Sequence, residues 1–350
     1  MRIVVAGAGA AGASVAYHLA LLGTRDVVLC DRGRVAGEST ARAMGGVRQQ
    51  FSTAAEVRLA QESTRFFEEL GPPYFDQVGY LFLATTPDGR ETLEARQRLQ
   101  REFGVPVELV DPSYVRGLRT EDVLAAVLCR KDGVADPAAV ARELVRRCGE
   151  MGVQVLEQTH VEQVRGDLYV IACGPWSAGV AAGFGVELPI RPLCRQLLAT
   201  APYSGLTADL PMVVEAETGF HFRRRDRRLV LAMNDPDPRW GFAQEVDDSV
   251  FGDRLARLAH RFPPAAGTDI DSAWAGLYDM TPDAHPILGR VADGVFAACG
   301  FSGHGFMQSP AVGRAVAEEI LTGSSSIDLS PYRLERFADG AAVPGEELVL

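Results

Sequence analysis

Apolar and polar positions in the first thirty residues change period twice. Arg2 to Ala6 carries the unbroken run Ile3-Val4-Val5-Ala6, the pattern of a strand buried on both faces. A helical pattern opens behind it, and a second apolar run, Val27-Val28-Leu29-Cys30, follows. Leu59 to Leu70 then reads as a helix with Leu59, Phe66, Phe67 and Leu70 as its apolar contacts. Gly79 to Ala84 reads as a strand, Gly89 to Phe103 as a charged helix, and Val105 to Val110 as an alternating strand. Asp136 is a helix N-cap with Pro137 at the first helical position; Val140, Leu144, Val145 and Cys148 form one face, and Gly152 ends the helix. Val153 to Leu156 and Leu168 to Ala172 read as further strands of the first sheet. From about Arg191 to Trp274 antiparallel strand signals dominate, broken by a helix from about Asp248 to Phe262. The last strand, Val295 to Cys299, leads to a helix from Gln308 to Thr322.

The junction between the first strand and its helix is Gly7-Ala8-Gly9-Ala10-Ala11-Gly12. Gly7 permits the tight turn, Gly9 lets the backbone approach a pyrophosphate, and Gly12 allows close packing of helix on strand. The helix N-terminus offers N–H groups and a positive dipole end to that pyrophosphate. Asp31, which follows the second strand 19 residues beyond Gly12, can accept hydrogen bonds from both hydroxyls of an adenosine ribose. Together these point to a bound dinucleotide. The turn alone does not separate NAD from FAD. NAD dehydrogenases usually continue with further strand–helix units, whereas here the pattern breaks after Asp31. The segment Glu38 to Phe51, rich in small residues and hydroxyls and holding Arg42 and Arg48, suits a longer cofactor that needs further cover. A second glycine-rich helix start, Gly300-Phe301-Ser302-Gly303-His304-Gly305-Phe306-Met307, can supply N–H groups to another anion or a polarised carbonyl.

Composition narrows the class. The 350 residues suffice for two domains with full cores. Hydrophobic content is 47%, with no apolar run near the roughly 18 residues of a membrane span, so a soluble globular protein is expected. The sequence opens directly on a core strand, so no signal or transit peptide is expected. A net charge of −11 argues against nucleic acid or an anionic membrane as partner. The cluster Arg223-Arg224-Arg225-Asp226-Arg227-Arg228 is the local exception and reads as a charged hairpin tip, with an anion or partner site as the other reading. Six cysteines show no Cys-x-x-Cys pair, and Cys30, Cys173 and Cys299 end apolar runs as free thiols; a reduced, cytoplasmic protein is expected. The six histidines show no metal-ligand spacing, and no metal is expected.

On the first glycine motif, Ser39 to Phe51, Ala172-Cys173-Gly174-Pro175-Trp176, Gly276-Leu277-Tyr278-Asp279-Met280-Thr281-Pro282-Asp283, and Gly300 to Met307, the chain resembles the flavin-dependent amine oxidoreductases of the D-amino-acid oxidase, glycine oxidase and sarcosine oxidase group. Gly45 to Phe51 and Gly300 to Met307 look most like the β subunits of archaeal-type proline dehydrogenases. The tail Ile327-Asp328-Leu329-Ser330-Pro331-Tyr332 also looks like the FAD-dependent oxidoreductase-domain proteins linked to respiratory complex I assembly. The resemblance implies an α/β fold: a Rossmann-like FAD-binding domain with a mixed antiparallel-sheet substrate domain. Residues 1–76, 132–190 and 281–350 would form the first, and 77–131 and 191–280 the second. FAD is implied as the cofactor, with a small amine or amino acid as substrate and a homo- or hetero-oligomer as a possible assembly. Cofactor contacts are implied for Gly7, Gly9, Ala10, Ala11, Gly12, Asp31 and Arg32 at the adenosine and pyrophosphate. Ser39, Thr40, Ala41, Arg42, Met44, Gly45 and Gly46 would cover the middle of the cofactor. Val161, Ala172, Cys173, Gly174, Trp176 and Gly276 flank it, and Gly303, His304, Gly305, Phe306 and Met307 meet the flavin.

The implied reaction is hydride transfer from a carbon next to an amine onto flavin N5, giving an imine that water hydrolyses. Arg48 matches an arginine beneath the flavin ring, with a structural ion pair as its bland reading. His304 matches a histidine touching ring and substrate, against a structural role bonding backbone. Tyr278 matches a tyrosine lining the substrate pocket, against core packing. Four departures stand out. Sarcosine oxidases hold a second arginine where this chain has Phe51, and a lysine where it has Met307; both bind the substrate carboxylate. Their flavin-linking cysteine matches Gly276, so FAD is expected to be held without a covalent bond. Relatives insert a three-stranded meander after the strand near Val161, where Arg165-Gly166-Asp167 leaves room only for a tight turn. Two other functions compete: a 2-hydroxy acid dehydrogenase of the same fold, and a flavin-bearing assembly protein with little turnover.

Overall fold

The computed structural model describes residues 1–338, 345–347, 349 and 350. The strand Ile3–Ala6 lies inside a six-stranded sheet, paired in parallel with Val27–Cys30 on one side and Leu168–Ile171 on the other. Gln154–Leu156 and Val295–Cys299 extend the parallel order outward, and Ile287–Ala292 closes one edge antiparallel. The helices Ala10–Leu21 and Gly305–Thr322 cover one face, where Val15, Leu19, Val312 and Val316 pack on Ile3 and Val5. Both helices follow strands that run the same way, so their N-termini emerge at the same edge of the sheet. They approach closely because the facing residues are small: a Cβ at Gly313 would lie 2.2 Å from Ser14 Oγ.

The second sheet has eight strands in the order Ile270–Met280, Arg191–Thr200, Arg228–Ala232, His221–Arg225, Met212–Glu215, Tyr80–Ala84, Ala125–Cys129, Val107–Leu109. Neighbours are antiparallel except Met212–Glu215 with Tyr80–Ala84, which makes the sheet mixed. Strand alternation divides the residues between two faces. Leu81 and Leu83 pack towards Phe222, Leu258 and Phe262, whereas Tyr80 and Phe82 pack towards Phe51, Val57 and Met212. The latter face looks toward the six-stranded sheet. A small sheet of Gly46–Val47, Gly133–Ala135 and Phe75–Asp76 lies beside it.

The local signals hold at Asp136, whose carboxylate accepts from the Ala138 and Ala139 N–H groups at the head of the helix Pro137–Glu150. Elsewhere the boundaries move. The helix expected from Leu59 spans Ala54–Leu70, capped by Thr53; the buried Glu56 had hidden its first turn from the apolar count. Val161 to Val164 form a 3-10 turn, Val161–Gln163, not a strand, and the short connection to Leu168 is closed by Gly166 N–H donating to Tyr169 Oη (2.9 Å). The final helix begins at Gly305, three residues before the expected Gln308. The arginine cluster is a hairpin whose tip is Asp226 and Arg227, but Arg223 and Arg225 alternate inward. Arg223 is buried and donates to the Ala135 carbonyl, and Arg225 donates to the Ala43 carbonyl.

The helix contact is testable. Gly313→Ala should cost about 1–3 kcal/mol through overpacking against Ser14. Gly149→Ala, on an exposed helical site where the new methyl meets nothing within 4 Å, should instead gain about 0.5–1 kcal/mol. Chemical unfolding checks both, and a Gly313→Ala protein as stable as the parent would contradict the close approach.

Candidate active site

Between the two sheets lies a cavity of about 470 Å³. At one end Asp31 receives the Ala8 N–H on Oδ2 and the Gly33 N–H on Oδ1, both at 2.7 Å. These bonds fix the carboxylate, and each oxygen retains a lone pair for a ligand hydroxyl. The Arg32 guanidinium lies 4.4 Å above the Trp176 ring, which stacks on Phe242. Val161 packs with Val4, Ala6 and Cys30, and Cys173 Sγ donates to the Ala6 carbonyl at 3.3 Å.

The glycine turn explains the middle of the cavity. A Cβ at Gly7 would lie 2.3 Å from the Ala172 carbonyl oxygen, and one at Gly12 would lie 1.8 Å from that of Gly7. The Ala10 N–H donates to Thr40 Oγ1 (3.1 Å), while the Ala11 N–H has no partner among the described residues and faces the cavity. Ser39 to Arg42 form a 3-10 turn that bridges the sheets. Ser39 Oγ donates to the Leu277 carbonyl (2.9 Å), and Trp274 Nε1 to that of Arg42 (3.0 Å). Arg42 is paired with Glu38 and Gln244. Ala41 belongs to that turn but is not among the cavity-lining residues; Ser39, Thr40, Arg42, Met44, Gly45 and Gly46 are. A Cβ at Gly276 would crowd Arg42 Cβ at 3.1 Å.

At the far end Arg48 is fully buried. Its Nη1 donates to the Gln50 carbonyl, its Nη2 is 3.4 Å from His304 Nε2, and its guanidinium lies 4.1 Å from the Phe51 ring centre. The His304 ring meets Phe51 edge-on at 5.1 Å. His304 is the N-cap of the Gly305–Thr322 helix, so the N–H groups of Gly305, Phe306 and Met307 point into the cavity end with the positive helix dipole. Pro310 lacks an N–H, and Ser309 Oγ donates instead to the Phe306 carbonyl (2.9 Å). Glu56 anchors this first turn from below, accepting from Gln308 Nε2 and lying 2.7 Å from His285 Nδ1. Burial raises its pKa, opposed by the His285 hydrogen bond.

Tyr278 combines both of its readings. It lines the cavity and donates from Oη to the Leu350 carbonyl (2.7 Å), and its ring fills the space where Gly303 has no Cβ. Among the cavity residues that escaped the sequence are Asp279, Arg195, His221 and Tyr80. Burial pushes Asp279 up to about 6, opposed by backbone N–H groups of the glycine-rich turn, including Gly300 at 2.7 Å. Burial lowers His221 to about 4, leaving it neutral at pH 7. A charge inside an apolar strand, as at Arg195, was the one signal available.

A family model described as FAD dependent oxidoreductase matches residues 2–319. The chain belongs to this family. A bovine (Bos taurus) relative, FAD-dependent oxidoreductase domain-containing protein 1, is 31% identical across 97% of this chain and 85% of its own length. Human (Homo sapiens) mitochondrial sarcosine dehydrogenase is 26% identical across 96% of this chain, which spans only 41% of that longer protein. The crystal structure of L-proline dehydrogenase from P. horikoshii superimposes with a TM-score of 0.89 at 28% identity, covering 97% of this chain and 98% of that one. FAD is therefore the cofactor of this family member, and the residues fit it. Asp31 could receive a ribose, the Gly7–Gly12 turn a pyrophosphate, and the Gly305 helix start the polar edge of a flavin. Among the described residues no group of side chains could hold a metal, and no helix is long and apolar enough to cross a membrane.

Asp31→Ala should weaken FAD binding by roughly 1–3 kcal/mol, since hydrogen bonds to a charged acceptor are lost. An unchanged FAD dissociation constant in a fluorescence titration would remove Asp31 from that role. Acid precipitation should leave the flavin in the supernatant, because Gly276 offers no thiol; colour in the pellet would show a covalent link.

Proposed function

We propose that this FAD-dependent oxidoreductase is a dehydrogenase of small secondary amines or amino acids, with L-proline or a close cyclic analogue as its best substrate. The observation that carries the reading is the apolar flavin end of the cavity. Phe51 and Met307 stand where sarcosine oxidases place cations; Met307 lines the cavity with Leu197 and Met212, and Phe51 is buried behind Arg48 and His304. Each methylene buried there contributes about 0.8 kcal/mol, which favours a ring of methylenes over an N-methyl group. The likeness to a proline dehydrogenase structure supports the same choice.

Bound FAD supplies the hydride acceptor, and water hydrolyses the imine product. The chain's own residues orient and polarise. Apolar surroundings favour the neutral amine, whose nitrogen lone pair must be free as the neighbouring C–H bond breaks. The N–H groups and dipole at Gly305 to Met307 stabilise negative charge at the polar flavin edge. Arg48, stacked on Phe51 and close to His304, adds a fixed positive charge on that side. The acceptor of the electrons follows from lysine content. The chain has a single lysine, Lys131, which sits on the surface against Glu68 (2.7 Å). No ammonium lies above the ring to activate oxygen. Six unpaired thiols suit a reducing compartment such as the cytoplasm.

Anaerobic mixing with a panel of L-proline, pipecolate, sarcosine, glycine and L-lactate tests this. L-Proline or pipecolate should bleach the flavin fastest, and His304→Ala should slow it about tenfold, the loss of one polar contact to substrate. Faster reduction by lactate would establish the hydroxy-acid alternative. No reduction by any compound, with a stably co-purifying partner, would establish the assembly-protein alternative. The reduced flavin should pass electrons to a quinone faster than to oxygen; rapid air reoxidation with matching peroxide release would refute the dehydrogenase assignment.

A further inference from the structure

The apolar pocket creates a difficulty: an amino-acid carboxylate needs a cation, and both positions that relatives use are apolar here. We propose that Arg195 holds the substrate carboxylate, an assignment that rests on the amino-acid reading above. Arg195 lies on the strand Arg191–Thr200, in register with Gly276 on the neighbouring strand Ile270–Met280. Cross-strand partners share a face of the sheet. Gly276 has no side chain, and Arg42 packs over it at 3.1 Å from where a Cβ would be, so no cross-strand side chain from Gly276 competes for the Arg195 guanidinium. Tyr278 projects from the same face two residues on, and its ring centre lies 5.7 Å from the Arg195 guanidinium carbon. Both residues line the cavity end that His304 and Met307 close.

The hydrogen-bond state of Arg195 is the second observation. Its Nε and Nη1 are shut off from solvent without an acceptor, and no acidic residue pairs with it among the described residues. Arg195 is half-buried, but two buried donors without an acceptor are costly, and a planar carboxylate meets such donors two at a time. Three of the other four arginines that line the cavity are committed. Arg48 donates to the Gln50 carbonyl and packs on Phe51, Arg42 is paired with Glu38 and Gln244, and Arg32 covers Trp176. Arg223 points away to the Ala135 carbonyl. The only lysine is on the surface. Arg195 thus supplies the charge that Phe51 and Met307 cannot, from the opposite wall of the pocket.

The test is binding of pyrrole-2-carboxylate, a planar acid with no oxidisable amine carbon, read from the flavin absorption band of the FAD-loaded protein. The parent should bind it at least tenfold more tightly than pyrrole-2-carboxamide. Arg195→Met should lose about 10- to 100-fold for the acid, the range of a charged hydrogen bond, with the amide and FAD content unchanged. Arg195→Lys, which keeps the charge but not the fork, should bind the acid between the two and serves if the methionine variant loses flavin. A parent that does not prefer acid over amide, or an Arg195→Lys or Arg195→Met protein that binds the acid as the parent does, overturns the assignment. If L-proline bleaches the parent flavin while the variants bind acid normally, Arg195 is wrong and the proposed function stands. If acid binding depends on Arg195 but no amine reduces the flavin, the proposed function fails and the carboxylate site stands.

Discussion

The structure depends on one place where backbone meets backbone, the contact of Gly7 with Gly12 and Ala172. A single Cβ at either glycine would overlap a carbonyl oxygen. Without side chains, the helix Ala10–Leu21 seats directly on its strand, and its first N–H groups open at the sheet edge. The Ala8 N–H then reaches Asp31, and the Ala10 N–H reaches Thr40. The same economy of side chains recurs on the helix's other side, where Gly313 meets Ser14 and brings the Gly305–Thr322 helix alongside. Two packed helices of the same sense therefore present two positive ends to one cavity. An anionic pyrophosphate and a flavin edge that gains charge on reduction are the two groups this arrangement favours.

Three buried carboxylates fix the segments around that cavity. Glu56 ties the helix Ala54–Leu70 to His285 and Gln308. Asp132 accepts from the Gln49 N–H and from both the Gln49 and Gln50 side chains, holding the segment beside Arg48. Asp279 fastens the glycine-rich turn to the end of the strand Ile270–Met280. Burial pushes Asp132 and Asp279 up to about 6, and the N–H donors around them oppose it. Each acid costs desolvation and returns directional bonds that no apolar side chain could supply.

What the sequence showed and what it hid divide along the range of the interactions. The glycine turn, Asp31, the Asp136 cap and the paired glycines around His304 are set by neighbours in the chain, so their spacing announces them. Glu56 and Arg223 misled because a charge inside a regular pattern reads as surface, whereas each has a partner more than eighty residues away: His285 and the Ala135 carbonyl. The start of the last helix was misplaced because Phe306 and Met307 look like the end of a glycine loop until Gly303 is seen to be filled by Tyr278. Arg195 was invisible as a site residue for the same reason. Its meaning depends on register with Gly276, and register is a property of two strands.

The substitution of Phe51 has a consequence beyond the loss of a cation. Its ring packs against both the Arg48 guanidinium and the His304 ring, which also touch each other, so an aromatic face stands where a second arginine would be. A guanidinium on an aromatic face is partly neutralised toward that side, which makes Arg48 a weaker anchor for a substrate anion than its charge suggests. Under the proposed assignment of Arg195, the anion is drawn instead to the wall formed by Arg191–Thr200. Under the proposed function, selectivity would then follow from geometry: a substrate reaching from that wall to the flavin fills the space lined by Leu197, Met212 and Met307, and a compact ring does so better than an N-methyl group.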